Sequence, residues 1–317
     1  MAELSDLSPR PRFRVPGVTY LVAGIAVFSV QDLILKLLSD RYPLSEAMVL
    51  RSVTAFPLLL VLVHLNGGLR TLVTPGWRRM VARGFMMFAA YTAYYLALAA
   101  LPLATTVALY FTAPLFITVF SVLLLRETVG PRRWIAVASG FCGVLIMLRP
   151  GTELFDWAAL LALSSGLSYA LSMIAARHLG ATETAAALAF WGNLVFLGCA
   201  LAMALAFGHG DYAAESHPSL GFLLRGWVTP SARDVALMMA CGAIAAAGLT
   251  LLTQAYRVSA SSVVAPFEYA AMIWGVVWGW LFWRDWPDTA GWTGIFVIVG
   301  AGLYVLYREY TGARALS

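Results

Sequence analysis

The chain has 317 residues, of which 61% are hydrophobic and only 12% charged, and its mean hydropathy is +0.80. A charged share about half the soluble norm of roughly a quarter excludes an ordinary water-soluble enzyme and a disordered chain. The net charge of +5 sits between apolar runs, as lipid topology requires, and does not point to nucleic acid. Residues 1–17 form a polar, Pro/Arg-rich tail. The first apolar run is expected to be a retained span, because many further runs follow it.

A helix needs about 20 residues to cross the hydrocarbon core. In chain order the apolar runs predict spans at 18–38, 44–64, 77–98, 103–125 and 132–149. A second set follows at 156–178, 184–207, 233–254, 261–283 and 289–307. The runs are too long and too evenly apolar for barrel strands, which alternate with period two. The expected class is an all-α integral membrane protein with ten transmembrane helices. Residues 208–233 read as the main outer loop, and 308–317 as a second cytoplasmic tail.

Taking the N-terminus as inside, fourteen of the 21 basic residues fall on the inner side and six on the outer. Arg51 lies within the second span. That bias supports both termini on the cytoplasmic side; the expected location is the plasma membrane, as a bacterial inner membrane. Arg78, Arg79 and Arg83 are counted with the inner segments. Cys142, Cys199 and Cys241 fall in apolar runs without metal-ligand spacing and read as small buried hydrophobes. Trp77, Trp134, Trp157 and Trp292 stand near span ends, as in an interfacial belt.

The halves resemble each other. Ala104-Thr105-Thr106-Val107 matches Ala260-Ser261-Ser262-Val263, and Arg126-Glu127 with Pro131 matches Arg284-Asp285 with Pro287. An odd number of helices per half makes the second half enter the membrane from the opposite side. The expected organisation is two inverted five-helix repeats, 18–149 and 150–307. Gly275 and Gly279, Gly242 and Ala246, and less ideally Gly140 and Gly143 share helix faces and suit close packing within one subunit; a homodimer is the other use of such faces.

Ionisable groups inside spans are costly and usually face a bundle interior or an aqueous cavity. Glu268 follows Pro266 and precedes Tyr269 in the ninth span, where it could bind a cationic group, carry a proton, or pair with Arg51 or Arg83. Gln31, Asp32 and Lys36 cluster in the first span. Asp32 and Lys36 are four apart and are expected to pair, with snorkelling to the interface as the other course for Lys36. Arg51 suits an anionic substrate group or neutralisation of Glu46 or Asp32. Tyr91, Tyr94 and Tyr95 in the third span and Tyr110 in the fourth can line a cavity and stack on a flat or cationic solute. Trp191, Asn193, Gln254, Tyr269 and Trp274 are further cavity candidates. No HExxH, phosphate loop, dinucleotide fingerprint or nucleophile elbow is present. Neither an enzyme nor a cofactor or metal is expected.

The repeat ends carry a resemblance. Ala104 to Pro114, then Leu125-Arg126-Glu127, Pro131, Gly140 and Gly143, resemble the EamA branch of the drug/metabolite transporter superfamily. The second copy runs from Ala260 to Pro266, then Trp283-Arg284-Asp285, Pro287, Gly300 and Gly302, with Asp285 where the family usually has glutamate. The resemblance implies a ten-helix inverted-repeat carrier of small organic metabolites with cytoplasmic termini. It places Tyr91, Tyr94, Tyr95, Tyr110, Gln254 and Glu268 near the centre. More narrowly the chain resembles carriers of S-adenosylmethionine or related cationic metabolites. The expected function is secondary transport of an amino-acid-like, zwitterionic or cationic solute by alternating access. Proton coupling and exchange are both open, and a membrane scaffold without flux is the alternative.

Overall fold

A computed structural model describes residues 15–126, 130–150, 155–179, 184–212, 217–258 and 265–314. The long helices are α1 (Val15–Leu38), α2 (Leu44–Leu65), α3 (Trp77–Ala100), α6 (Pro131–Leu148), α7 (Ala158–Leu179), α8 (Ala185–Phe207), α10 (Ala232–Val258) and α12 (Thr289–Arg314). Between them lie α4 (Leu103–Tyr110), α5 (Ala113–Leu125), α9 (Pro218–Leu224) and α11 (Ala270–Trp278). The described residues thus form an all-α bundle. Among the described residues, five segments are long and apolar enough to cross a membrane: Gly17–Leu38, Leu44–Leu65, Leu103–Leu124, Ala158–Ala175 and Ala186–Phe207.

Two expected spans are interrupted. The fourth is broken at Phe111 and Thr112, between α4 and α5. A proline inside a helix clashes with the carbonyl four residues earlier. Pro114 would meet Tyr110, so α4 stops there and Pro114 sits harmlessly in the first turn of α5. Thr112 Oγ1 donates to the Leu109 carbonyl at 2.7 Å and satisfies one group the break releases. The described part of the ninth, from Ala265, is a 3-10 turn (Ala265–Tyr269), then α11, then a π turn (Gly279–Trp283) that ends on left-handed Arg284. Here too Pro266 precedes the regular helix. The two interruptions meet, with the rings of Phe111 and Tyr269 5.2 Å apart.

The principal packed pairs are α1 with α10, α3 with α7, α2 with α8, α6 with α12, α2 with α10, and α3 with α8. α4 packs on α11 and α7, and α1 also packs on α11. Glycines set the closest approaches. A Cβ at Gly242 of α10 would collide with the Arg51 carbonyl and stand 2.8 Å from the Thr54 Cβ of α2. One at Gly275 would stand 3.3 Å from the Ala104 Cα of α4, and Gly143 and Gly294 face each other across α6 and α12. These small residues pack within one subunit, as expected. Gly242→Ala should therefore cost about 1–3 kcal/mol through overpacking. Gly198→Ala, with nothing within 4 Å of the added carbon, should gain up to about 1 kcal/mol of helix propensity. Reversible unfolding in mixed micelles checks the pair, and equal effects at both positions would contradict the seam.

The outer surface of the bundle is apolar, with Leu205, Leu65 and Phe296 among the most exposed side chains, as lipid contact demands. Trp77, Trp134 and Trp157 are exposed near helix ends. Of the cysteines only Cys241 is buried; Cys142 is exposed and Cys199 intermediate. The expectation of three buried thiols fails because Cys142 faces away from the α6–α12 seam that its neighbour Gly143 makes.

One end of the bundle is stitched by polar contacts. Lys36 Nζ donates to the carbonyls of Leu98 and Leu101, at 2.8 and 2.6 Å, and caps the end of α3. Arg225 donates to the Ser39 carbonyl at 2.9 Å, Trp227 Nε1 to Ser45 Oγ at 3.0 Å, and Tyr42 to Asp234 at 2.7 Å. The Asp234 carboxylate holds the Tyr42 hydroxyl above its ordinary pKa. Ser219 Oγ of α9 reaches the Leu96 carbonyl at 2.7 Å. The segment expected to be a plain solvated loop therefore carries a helix that closes over this end.

Arg149 and Asp288 join the ends of α6 and α12 by an ion pair. The Arg149 hydrogen bond is the first cause that holds Asp288 below the usual carboxylate range. With the folded pKa depressed, the contribution is present at neutral pH and fades as pH falls through the unfolded value of about 3.9 towards the folded one. Asp288 is exposed, so Asp288→Asn should cost under about 1 kcal/mol. That difference should shrink in thermal melts taken from pH about 6 towards 3.

Candidate functional site

Inside the bundle α1, α3, α4, α7 and the interrupted segment 265–278 enclose a cavity of about 300 Å³. It is at the small end of the usual range for small-molecule sites, roughly 300–1,000 Å³. α3 supplies Arg83, Tyr91, Tyr94 and Tyr95, α4 supplies Tyr110, and α7 supplies Ser165 and Tyr169. The carboxylates are Asp32 of α1 and Glu268 of the 3-10 turn. The tyrosines form a continuous array. Tyr94 packs edge-on against Tyr95 and Tyr110, each at 5.4 Å, and Tyr110 lies 5.5 Å from Tyr169. Such rings offer faces to a flat or cationic group and hydroxyls to a polar one.

Hydrogen bonds fix the polar wall. Tyr94 donates to Asp32 Oδ2 at 3.0 Å. Arg51 Nε donates to Gln31 Oε1 at 3.2 Å, and Gln31 Nε2 to the Tyr95 hydroxyl at 2.5 Å. Gln31 is almost wholly buried, so it bridges a guanidinium and a phenol across three helices. Ser165 Oγ is buried, lines the cavity and has no hydrogen-bond partner among the described residues. It is a ready contact for a polar ligand atom.

Residues 15–149 match the model of the EamA-like transporter family. A riboflavin transporter of Rhizobium johnstonii is 29% identical over 98% of this chain and 97% of its own length. An S-adenosylmethionine uptake transporter of Rickettsia prowazekii is 24% identical, over 92% of this chain and 93% of that protein. A pseudopaline exporter of Pseudomonas aeruginosa is 28% identical, over 90% and 94%. The chain belongs to the EamA/DMT superfamily. A solved crystal structure superposes on this EamA/DMT protein with a TM-score of 0.62 at 18% identity, covering 92% of this chain and 96% of that one. At that identity the likeness shows the fold alone.

Against the expected site residues of the EamA/DMT chain, the cavity gathers Gln31, Asp32, Tyr91, Tyr94, Tyr95, Tyr110 and Glu268. Arg51 and Asn193 line a second cavity beside it. Three candidates lie elsewhere. Trp191 Nε1 donates to the Leu72 carbonyl at 3.2 Å and stacks on Trp77. Trp274 stacks on Trp278 and packs against Leu21 and Ile25. Tyr269 turns towards Gly302 of α12, whose missing side chain makes room for its hydroxyl. The side chain of Gln254, Glu127 and the pair Ser261-Ser262 lie outside the described residues.

The expected Asp32–Lys36 pair does not form. Asp32 takes Tyr94, while Lys36 reaches the end of α3 and lies 5.3 Å from the Trp283 ring. Carbonyls released where α3 ends before Pro102 are stronger competitors for the ammonium than a carboxylate one turn away on the same helix. Likewise Arg51 bonds Gln31, not Glu46 or Asp32; Glu46 accepts the Val228 amide at 3.4 Å. Arg83, counted by sequence with an inner basic segment, lines both cavities instead. Ser165, Tyr169 and Met173 were not singled out, although a spacing of four puts them on one face of α7.

Proposed function

We propose that the chain is a secondary transporter that moves a small polar organic solute across the plasma membrane by alternating access. The observation that carries this reading is the cavity itself. Two carboxylates, an arginine and five tyrosines are held inside a bundle whose outside is apolar, where such groups are costly unless they serve a passage. Asp32 and Glu268 suit the ammonium of an amino-acid-like or cationic solute, and the tyrosine array suits a flat heteroaromatic ring. Riboflavin and S-adenosylmethionine, named for two relatives, both combine a flat ring with polar arms.

The helix pairing supports two inverted five-helix units, 18–149 and 150–307. If α1, α2, α3, α4/α5 and α6 are exchanged with α7, α8, α10, α11 and α12, the principal packed pairs named above map onto one another. The α1–α10 pair becomes α7–α3, α2–α10 becomes α8–α3, and α1–α11 becomes α7–α4. The α2–α8, α4–α11 and α6–α12 pairs become themselves. Discontinuous helices at corresponding places in two halves are a recurring basis of substrate sites in such carriers. Opening towards the stitched end would require Tyr42–Asp234 and Arg225–Ser39 to part. On this reading that end is outside and both chain termini are cytoplasmic.

Glu268 is the proposed proton carrier. The test is flux into proteoliposomes with an imposed pH gradient, using solutes that raise the thermal stability of the purified protein. Glu268→Gln should abolish the gradient-driven component while leaving counterflow measurable. Identical gradient-driven uptake in wild type and variant removes Glu268 from that role, and no counterflow of any stabilising solute removes the carrier reading.

A further inference from the structure

The second cavity, about 240 Å³, lies between α2, α3, α8 and α10 and shares Phe28, Arg83, Met87 and Tyr91 with the first. The two differ in charge. Asp32 and Glu268 line only the first, whereas among the described residues the charged lining of the second is Arg51 and Arg83, with no carboxylate. Arg51 is 9% exposed and spends Nε on the neutral Gln31. Its guanidinium stands 5.9 Å from the Tyr91 ring and 5.6 Å from Phe196. Arg83 Nε is buried with no hydrogen-bond partner among the described residues. The ion pairs found there, Arg149–Asp288 and His217–Asp156, involve neither arginine.

Two guanidiniums drawn from water without an ion-pair contact among the described residues are costly. An anion between them recovers charge-assisted, fork-shaped hydrogen bonds that a planar guanidinium is shaped to give. Gly192 leaves the wall of α8 open there, since a Cβ would meet nothing within 4 Å. Resting on the carrier reading, we infer that this second cavity is an anion subsite that takes the carboxylate or phosphate arm of the solute whose ring lies among the tyrosines. The pair of cavities then selects a bipolar or anionic-armed heteroaromatic solute, with Tyr91 and Arg83 at the boundary between ring and arm.

The probes are riboflavin and riboflavin 5′-phosphate, which share a ring and differ by one anionic group. Equilibrium dialysis with the purified full-length protein should give the phosphate ester at least about tenfold tighter binding. Arg51→Gln and Arg83→Gln should each erase most of that margin, and Arg51→Lys and Arg83→Lys should restore part of it. In wild type alone, the margin should narrow as salt is raised, a readout that needs no variant to fold. Equal affinity for the two probes, no saturable binding of the ester, or a margin that survives both glutamine variants overturns the inference. Riboflavin that binds as tightly as the ester once inorganic phosphate is added would assign the cavity to a free anion and overturn it as well. Counterflow of riboflavin without a phosphate margin sinks the subsite and leaves the carrier. A margin without counterflow sinks the carrier and leaves the subsite.

Discussion

Asp32→Asn is expected to weaken binding of a cationic or zwitterionic solute by about tenfold or more. The substitution is nearly isosteric and keeps an oxygen that can accept the Tyr94 hydroxyl, now 3.0 Å away. What is lost is the negative charge that would face an ammonium inside a wall of rings and methylenes, where hydrogen bonds to charged groups are worth about 1.5–3 kcal/mol. Tyr94→Phe makes the informative companion. It keeps the carboxylate and removes one orienting donor, so its effect on affinity should stay within about tenfold. Proteoliposome counterflow of a stabilising solute reads both. If Asp32→Asn carries that solute with wild-type affinity, Asp32 does not touch it.

The largest effect on stability is expected at Gln31. Gln31→Leu fills a similar volume but strips Arg51 Nε and the Tyr95 hydroxyl of their shared partner. Each group left unsatisfied in a buried site costs about 1–3 kcal/mol. A loss of about 2–5 kcal/mol is therefore expected, against about 1–3 kcal/mol for Tyr95→Phe, which leaves one group, the Gln31 amide, without its acceptor. Unfolding in mixed micelles measures both. The double variant should cost less than the sum of the two, because residues in one network are not additive. A neutral Gln31→Leu would mean that the amide bridges nothing of consequence.

The helices of this protein were largely legible from composition, and the partners of its polar groups were not. The expected second and seventh apolar runs, 44–64 and 184–207, become Leu44–Leu65 and Ala185–Phe207, because an apolar run flanked by polar residues leaves little choice of helix ends. The fourth and ninth runs read as continuous for the same reason, and their interruptions were signalled only by Pro114 and Pro266. Asp32 and Lys36 looked like a pair because sequence reports neighbours on one helix. It does not report that the end of α3 arrives beside Lys36 with free carbonyls. Arg83 was masked by Arg78 and Arg79, which made it read as the tail of a basic segment when it lies a little over one turn deeper in α3. Tyr169 carried a usable signal in its spacing from Ser165 and Met173. Trp191, Trp274 and Tyr269 were drawn in by residue type, and each is taken up by packing with a neighbouring helix.

Trp278 donates its indole hydrogen to Ser29 Oγ at 3.0 Å, and Ser29 belongs to the wall of the larger cavity, whose lining contains no tryptophan. An indole is thus wired to the chamber through one hydroxyl. Its light emission will shift colour when an occupant changes the polarity around Ser29, and Trp278→Phe will silence that component. The difference in emission between wild type and Trp278→Phe is therefore expected to report occupancy without a label, even in a sealed vesicle.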